Sequence, residues 1–375
     1  MHLLLRRAIP PALKRVAPYT KISLRGYRLP TRSTSMAEEN IKYLVRVKGG
    51  PLEVAKAPKP TDLASNDVLI RLKAVAINPA DTKMIDEGHR VTSYPFVPGL
   101  DGSGIIEATG DAVERIKVSD EMIGLFQSND RSGSFQTFAI VDEQKVTKKP
   151  PSWAFEEAAT LGVCYATAIA ALGIGLKTPL PFIIDGPRTG LVPSYILVLG
   201  GSSALGAAVI QLLRLALPDS TVFATSSPKH HTHIVNTLGA HRAFDRSSSS
   251  LVEDVKRGTP ASQGLDAIVD VVGAGTSDIF EAFNPNGPKR YAQVWTGEDK
   301  IQTPEDVDSV LFRSRDLSQL QGGDNIMLSL QTLLEDGRYK LPLPVNNVGQ
   351  GFEALQKALD LMRMGVSGEK LVVTF

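Results

Sequence analysis

Cysteine is almost absent from this chain: of its 375 residues only Cys164 carries a thiol. A disulfide framework is therefore excluded, and so is a zinc site built from several thiolates. A lone thiol fits a reducing compartment. The six histidines fall in no metal-ligand spacing, so no metal site is predicted. Neither sign of charge is in excess: 41 Lys and Arg against 40 Asp and Glu leave +1. No global field draws the chain to nucleic acid or a membrane surface. A bilayer span takes roughly 20 apolar residues, and no run of that kind is expected here. Acids are also missing from the start, where no Asp or Glu precedes Glu38.

That start carries Arg6, Arg7, Lys14, Arg15, Lys21, Arg25, Arg28 and Arg32, with Ser23, Thr31, Ser33, Thr34 and Ser35 between them. An Arg- and Ser-rich, acid-free segment has the composition of a mitochondrial transit peptide. The alternative is an upstream start, with Met36 as the true beginning and a cytoplasmic protein. Pro10, Pro11 and Pro18 interrupt any long amphipathic helix, which counts against import. Residues 1–35 are set aside as a leader-like segment. The remainder, 42% hydrophobic and 22% charged, is ordinary for a soluble enzyme and long enough for two domains.

Residues 41–47 and 52–57 flank Gly49-Gly50-Pro51, a hairpin signal. Val68–Ala76 alternates and is broken by a turn at Asn78-Pro79-Ala80-Asp81. Short strands follow at Gly104–Ala108 and Phe135–Val141, punctuated by Gly and Pro, which implies a partly open, mostly β barrel. Residues 155–172 are Ala-rich and apolar, a buried helix or helix pair. After a Pro-rich connection, Lys177–Pro193, the period becomes α/β. Strands are predicted at Tyr195–Leu199, 221–225, 241–245, 265–272 and 290–295, with helices at Ala207–Leu217, His231–Leu238 and Leu251–Arg257. This alternation predicts a doubly wound parallel sheet of the Rossmann kind. The tail returns to the first domain: Phe352, Leu355, Leu359 and Met362 share a helix face, and 370–374 reads as a last strand. The predicted division is 36–165 with 330–375 for one domain and 166–329 for the other.

The turn Gly200-Gly201-Ser202-Ser203-Ala204-Leu205-Gly206 follows a strand and opens a helix, the context of a dinucleotide fingerprint. Backbone N–H groups there can hold a pyrophosphate. Gly201 is assigned the tight turn and Gly206 close packing of helix on strand, while Ser203 replaces the usual middle glycine and offers a hydroxyl to a phosphate. At the end of the second strand an NAD site carries an acid. Here stand Ser226, Ser227, Pro228, Lys229 and His230. Two hydroxyls and a cation suit a 2′-phosphate, so NADPH is the predicted cofactor; a solvated Ser-Pro loop is the plain alternative.

Several segments together resemble the medium-chain dehydrogenase/reductase superfamily. They are Ala76–Lys83, Pro98–Gly104, the glycine turn, Ser226–Lys229 and Ser367–Val372. Within it the chain resembles the zinc-free fungal trans-acting enoyl reductases of polyketide synthesis. The resemblance implies a Rossmann NADPH domain beside a GroES-like, mostly β catalytic domain. Zinc alcohol dehydrogenases have a Cys near the first motif and a His-Glu pair in the second; here Asn78-Pro79-Ala80 and Leu100-Asp101 take those places. Without soft or imidazole ligands a catalytic zinc is not expected. A substrate already activated by conjugation is: an enone, an enoyl thioester or a quinone.

By this resemblance, Asn78 and Lys83 lie beside nicotinamide and substrate as catalytic residues, with Pro79 and Asp81 on the cofactor. Asn78 is equally a turn residue and Lys83 equally an exposed turn lysine. Thr167 matches the family's nicotinamide-facing threonine, or else bonds its own helix backbone. Gly162, Val163, Cys164, Tyr165, Ala166, Ala168 and Ile169 would line the substrate cleft, or simply pack. Val294 and Trp295 would lie near the cofactor, as would Val366 and Ser367. Arg246 replaces a common aromatic residue by the adenine, and Ser119-Asp120-Glu121 alters a turn. Arg313 and Arg315 are candidates to meet a phosphopantetheine or an acyl carrier protein. His230, His231 and His233 read as surface residues near the adenosine. No residue pattern identifies a proton donor, which leaves water. The expected activity is reduction of a small-molecule or carrier-bound enoyl group by a monomer or homodimer. A quinone or small-enone reductase and a non-catalytic NADPH-binding protein are the alternatives.

Overall fold

The computed structural model describes residues 38–183, 190, 192–273, 277–297 and 302–375. The leader-like residues 1–35 lie outside the described residues, as does part of the Pro-rich connection. Glu39–Phe375 forms one compact unit.

The first lobe begins with β1 (Glu39–Val45) and β2 (Leu52–Pro58), the antiparallel hairpin that Gly49-Gly50-Pro51 predicts. Next come β3 (Asp67–Ala76), α1 (Pro79–Glu87), β4 (Asp101–Thr109), β5 (Glu121–Leu125), β6 (Phe138–Asp142) and β7 (Val146–Lys148). The segment read as a turn at Asn78–Asp81 is the first turn of α1. Pro79 occupies the first helical position, where its fixed φ and missing N–H are harmless, and Asp81 sits at the third. An Asn-Pro pair both ends a strand and starts a helix. Gly88, at φ 70°, closes α1 in the left-handed conformation.

Two short helices follow, α2 (Phe155–Ala158) and α3 (Gly162–Ala170), the latter running into a π turn, Ala171–Gly175. Contrary to the sequence reading, Phe155–Gly175 is long and apolar enough to cross a bilayer by length and composition. In the fold it is interrupted, and 83% of its apolar window is buried inside the protein, as in the core helix of a globular domain.

The second lobe comprises β8 (Tyr195–Leu199), α4 (Ala204–Ala216), β9 (Thr221–Ser226), α5 (His231–Asn236), β10 (Arg242–Asp245), α6 (Leu251–Arg257), β11 (Ala267–Asp270), β12 (Arg290–Val294) and β13 (Asp308–Phe312). All six strands are parallel, in the order β10-β9-β8-β11-β12-β13. The order reverses between β8 and β11, and ligands of doubly wound sheets bind outside the carboxyl ends of strands at such a switch point. The chain then forms α7 (Ile326–Glu335), β14 (Val345–Gln350), α8 (Gly351–Met364) and β15 (Lys370–Thr374). β15 returns to the first lobe antiparallel to β3, giving the order β14-β15-β3-β4-β5-β7, with β6 also on β3. β13, α7 and β14 escaped the sequence reading. β13 and β14 are half polar and scarcely buried, so their pairing follows from the sheets beside them.

The core of the second lobe rests on α4, where Ala207, Ala208, Val209, Ile210, Leu212 and Leu213 are fully buried. That contact requires Gly206, whose Cβ, if present, would collide with the Gly200 carbonyl. Gly206→Ala should therefore cost about 1–3 kcal/mol, as overpacking does. The expected readout is a lower denaturant midpoint with an unchanged slope; an unmoved midpoint would refute the close contact.

Candidate active site

The site is organised by a buried charge cluster. Lys370, the first residue of β15, is 5% exposed, and Asp101, the first of β4, is fully buried. The Lys370 ammonium donates to Asn78 Oδ1 at 2.5 Å and to Asp101 Oδ2 at 3.3 Å. Asn78 Nδ2 donates to the same carboxylate oxygen at 2.9 Å, and the Val163 N–H, in the first turn of α3, donates to Asp101 Oδ1 at 2.7 Å. Gly162 must be glycine here, because a Cβ would press on Asp101 Oδ1 and the Gly124 carbonyl. Burial pushes the Asp101 carboxyl up, opposed by Lys370, Asn78 and the Val163 N–H.

Asp81 lies below this cluster, fully buried. Its Oδ2 accepts the Asn78 N–H at 2.8 Å, and its Oδ1 has no partner among the described residues. Burial, reinforced by the nearby Asp101 charge, raises its pKa to about 7, against the Asn78 hydrogen bond and Lys370. Two expectations are corrected. Asp81 is sealed under the first turn of α1 rather than turned to a cofactor, since a carboxylate at the third helical position bonds back to the cap residue. Asn78 is committed at both side-chain atoms, which makes it a positioning residue. Pro79 is exposed.

In the glycine turn, Gly200 rather than Gly201 takes the positive φ, 87°. Gly201 is instead required by packing, because a Cβ would meet Ala224 and Ile210. The Ser203 hydroxyl is not offered to a phosphate: it donates to the Gly200 carbonyl at 2.8 Å and accepts the Gly206 N–H at 3.0 Å, as the cap of α4. The N–H groups of Ala204 and Leu205 have no acceptor among the described residues, so two donors and the positive end of α4 point outward at the carboxyl end of β8. The Ser202 carbonyl accepts the Gly368 N–H at 3.1 Å.

At the end of β9, Ser226 is 1% exposed and its hydroxyl donates to the Ser227 carbonyl. It is turned away from the surface where a 2′-phosphate was expected, because a strand-end residue with an inward side chain packs into the core. Ser227 and His230 are half-buried, and Lys229 and Arg246 are exposed. Arg246 is held beside β9 by a bond from its N–H to the Ser226 carbonyl, 3.0 Å.

The lobes also meet at the other end of the cleft. The Lys83 ammonium, on α1, donates to the Thr296 carbonyl just beyond β12. His89 stands edge-on to Trp295 with ring centroids 5.1 Å apart, and the Arg313 guanidinium lies 5.2 Å from the same indole. Val294 is half-buried. Arg90 belongs to this group: burial and the neighbouring Arg315 and Arg313 charges lower its pKa. Val366 is half-buried against the first lobe's core, and Ser367 is exposed.

The helix expected to line the substrate cleft is mostly interior. Cys164, Tyr165, Ala166, Ala168 and Ile169 belong to the core of the second lobe. Tyr165 bonds Ser329 at 2.6 Å, and burial pushes the Cys164 thiol up to about 12. Val163 is half-buried and Thr167 is 8% exposed; the Thr167 hydroxyl donates to the Val163 carbonyl at 2.7 Å. A helix apolar on every face is enclosed on nearly every face, so most of this stretch packs and does not line.

Comparison with known proteins agrees with the two-lobed fold. Residues 64–151 match the alcohol dehydrogenase GroES-like domain. The enoyl reductase component lovC of the lovastatin nonaketide synthase, from Aspergillus terreus, is 30% identical over 84% of this chain and 91% of its own length. The chain belongs to the trans-enoyl reductase family. The trans-enoyl reductase tndF of Aspergillus flavipes is 29% identical over 90% of this chain and 99% of its own. The CurK enoyl reductase shares the fold of this medium-chain dehydrogenase/reductase at a TM-score of 0.71 and 22% identity, covering 89% of this chain and 99% of that one. One solved structure of this fold, 21% identical at a TM-score of 0.69 and covering 89% of this chain and 99% of that one, is an NAD-dependent alcohol dehydrogenase. In the present chain, sequence reasoning passed over Asp101 and Lys370 as site residues. The signal was present: Asp101 is the lone charge in Pro98–Gly104, and Lys370 is the one cation in Ser367–Val372, beside Glu369.

Two outcomes follow for the cluster. Lys370→Met leaves the Asp101 carboxylate buried and unpaired and should cost about 3–5 kcal/mol, read by chemical denaturation; adding Asp101→Asn should recover part of the loss. Asp81, with a folded pKa of about 7 against an ordinary 3.8, keeps its proton in the folded state where the unfolded chain has lost it. Its contribution is favourable at low pH and declines as pH rises from 3.8 to about 7, with a slope approaching ~1.4 kcal/mol per pH unit. Stability of the wild type relative to Asp81→Asn should fall across that window and level off above it; parallel curves would contradict the raised pKa.

Proposed function

We propose that this chain reduces the conjugated double bond of a carrier-bound enoyl thioester, using NADPH and no metal. One observation carries the reading: Lys83, a cation of the first lobe, is placed at the carboxyl end of β12, where a doubly wound sheet presents its dinucleotide. The donor set fits the cofactor. Ala204 and Leu205 aim two N–H groups from α4 at the position of a pyrophosphate; Lys229 and His230 follow β9 with no acid at its end, and Arg246, after β10, is tied beside them. It does not favour zinc, since the Lys370 ammonium already fills the space between Asn78 and Asp101 and would repel a second cation.

The nicotinamide, when bound, supplies the hydride for the β-carbon. As charge builds on the thioester carbonyl oxygen, Lys83 is the group to meet it, exchanging the Thr296 carbonyl for the oxyanion. Asn78 and Asp101 hold α1, and with it Lys83, against the first lobe. Arg313 lies over Trp295, and its charge and that of Arg315 act on Arg90; three such guanidinium groups suit the phosphodiester of a carrier arm.

The test is oxidation of NADPH and NADH with medium-chain enoyl thioesters, enones and quinones in parallel. Turnover of enoyl thioesters with NADPH is expected, and Lys83→Met should lower kcat by about 10²-fold or more. Turnover of quinones alone would overturn the enoyl reading. Better turnover with NADH would overturn the 2′-phosphate argument. Nucleotide binding without any turnover would favour a non-catalytic binding protein.

A further inference from the structure

His230 is unusual among the groups that follow β9, because it faces two partners at once. Its Nε2 lies 3.2 Å from the Ser367 hydroxyl, which belongs to the loop before β15 in the first lobe. Gly368 packs flat on the ring, and any Cβ there would overlap it. The charges that act on it among the described residues are Lys229 on its own turn, His231 and His233 on α5, and Arg246 after β10. His233 is tied to the Pro342 carbonyl at 3.0 Å. The first acid in the overlying loop, Glu369, accepts from Asn346 at 2.9 Å.

We propose that His230 is the proton-switched element of the 2′-phosphate site. Protonated, it grips the adenosine 2′-phosphate together with Lys229 and Arg246; neutral, it rests against Ser367 of the other lobe. This rests on the NADPH reading above and deepens it. The physical basis is a reversal of local field. Partial burial, and then the Lys229, His233, Arg246 and His231 charges, hold the His230 pKa below 6.5 in the free protein. A phosphate monoester brings a charge of about −1.5 to −2 into that group and favours the imidazolium. Binding of the 2′-phosphate then takes up a proton near neutral pH and weakens as pH rises, while a nucleotide without the phosphate does neither. Because the ring is in contact with Ser367 and Gly368, the same proton links cofactor choice to the loop that closes over the glycine turn.

The experiment is calorimetric titration of the full chain with 2′,5′-ADP and with 5′-AMP. It is run in two buffers of different ionisation enthalpy, between about pH 6.5 and 8.5. The expected result is tighter binding of 2′,5′-ADP, uptake of up to about one proton near pH 7.5, and an affinity that falls by as much as about tenfold per pH unit. 5′-AMP should show neither effect. Loss of a proton from the phosphate itself would release protons, the opposite sign. H230N should retain a preference for 2′,5′-ADP but lose the uptake and the slope, whereas K229M should lose affinity at every pH and keep the slope. G368A, which displaces the ring, should behave as H230N. Equal binding of the two nucleotides by the wild type would overturn the NADPH reading itself. A preference for 2′,5′-ADP with proton uptake unchanged in H230N would overturn the role of His230 alone.

Discussion

Much of the site depends on one buried ion pair. Lys370 and Asp101 stand at the first positions of β15 and β4, and between them they hold the Asn78 amide and the first turn of α3. Desolvating two charges costs several kcal/mol each, so such a pair stabilises a fold only when its remaining hydrogen bonds are satisfied. Here Asn78 and the Val163 N–H provide that satisfaction. The pair draws together a C-terminal strand and an N-terminal strand that lie 269 residues apart. It also sets the start of α1, which carries Lys83 to the cleft, and the entry of α3, which passes into the core of the second lobe. Position is what the pair provides, and the uncompensated oxygen of Asp81 beneath it is a consequence of crowding acids into the same space.

The nucleotide turn obeys a second constraint, close approach. Gly200 turns, Gly201 lets β9 and α4 pack, and Gly206 lets α4 lie against the strand end. Ser203 then has no freedom to bind a ligand, because a helix with unsatisfied N-terminal donors captures the nearest hydroxyl as its cap. The outward-facing donors left over are main-chain N–H groups, which recognise charge and not sequence identity. On the proposed NADPH reading, selectivity falls to the residues after β9, where Lys229 is exposed.

Much of this was legible beforehand. Alternation of apolar residues and Gly-rich turns located β8 through β12, and the face formed by Phe352, Leu355, Leu359 and Met362 located α8. β7 was not found and α1 was read as a turn; later in the chain the elements not found were β13, α7 and β14. The two strands carry polar residues such as Asp308, Ser309, Asn346 and Asn347, and they form because a partner strand completes their hydrogen bonds. Tyr165, Ala168 and Ile169 could not be sorted into lining or core by spacing, since an apolar helix looks alike from every side. The apolar stretch Phe155–Gly175 was underestimated as a span candidate for the same reason: composition does not say whether lipid or protein surrounds it.

The sequence by itself determined part of the local chemistry: a glycine-rich turn between a strand and a helix, an Asn-Pro break after β3, and that no acid follows β9. Those features act over a few residues, where steric and hydrogen-bonding rules are strong. Only the tertiary structure decided which charges meet. That Lys370 would neutralise Asp101, that Lys83 would reach Thr296, and that His230 would rest on Ser367 and Gly368 depend on strands brought together from distant parts of the chain. Coulomb and packing energies are functions of distance in space, and distance in sequence does not report it.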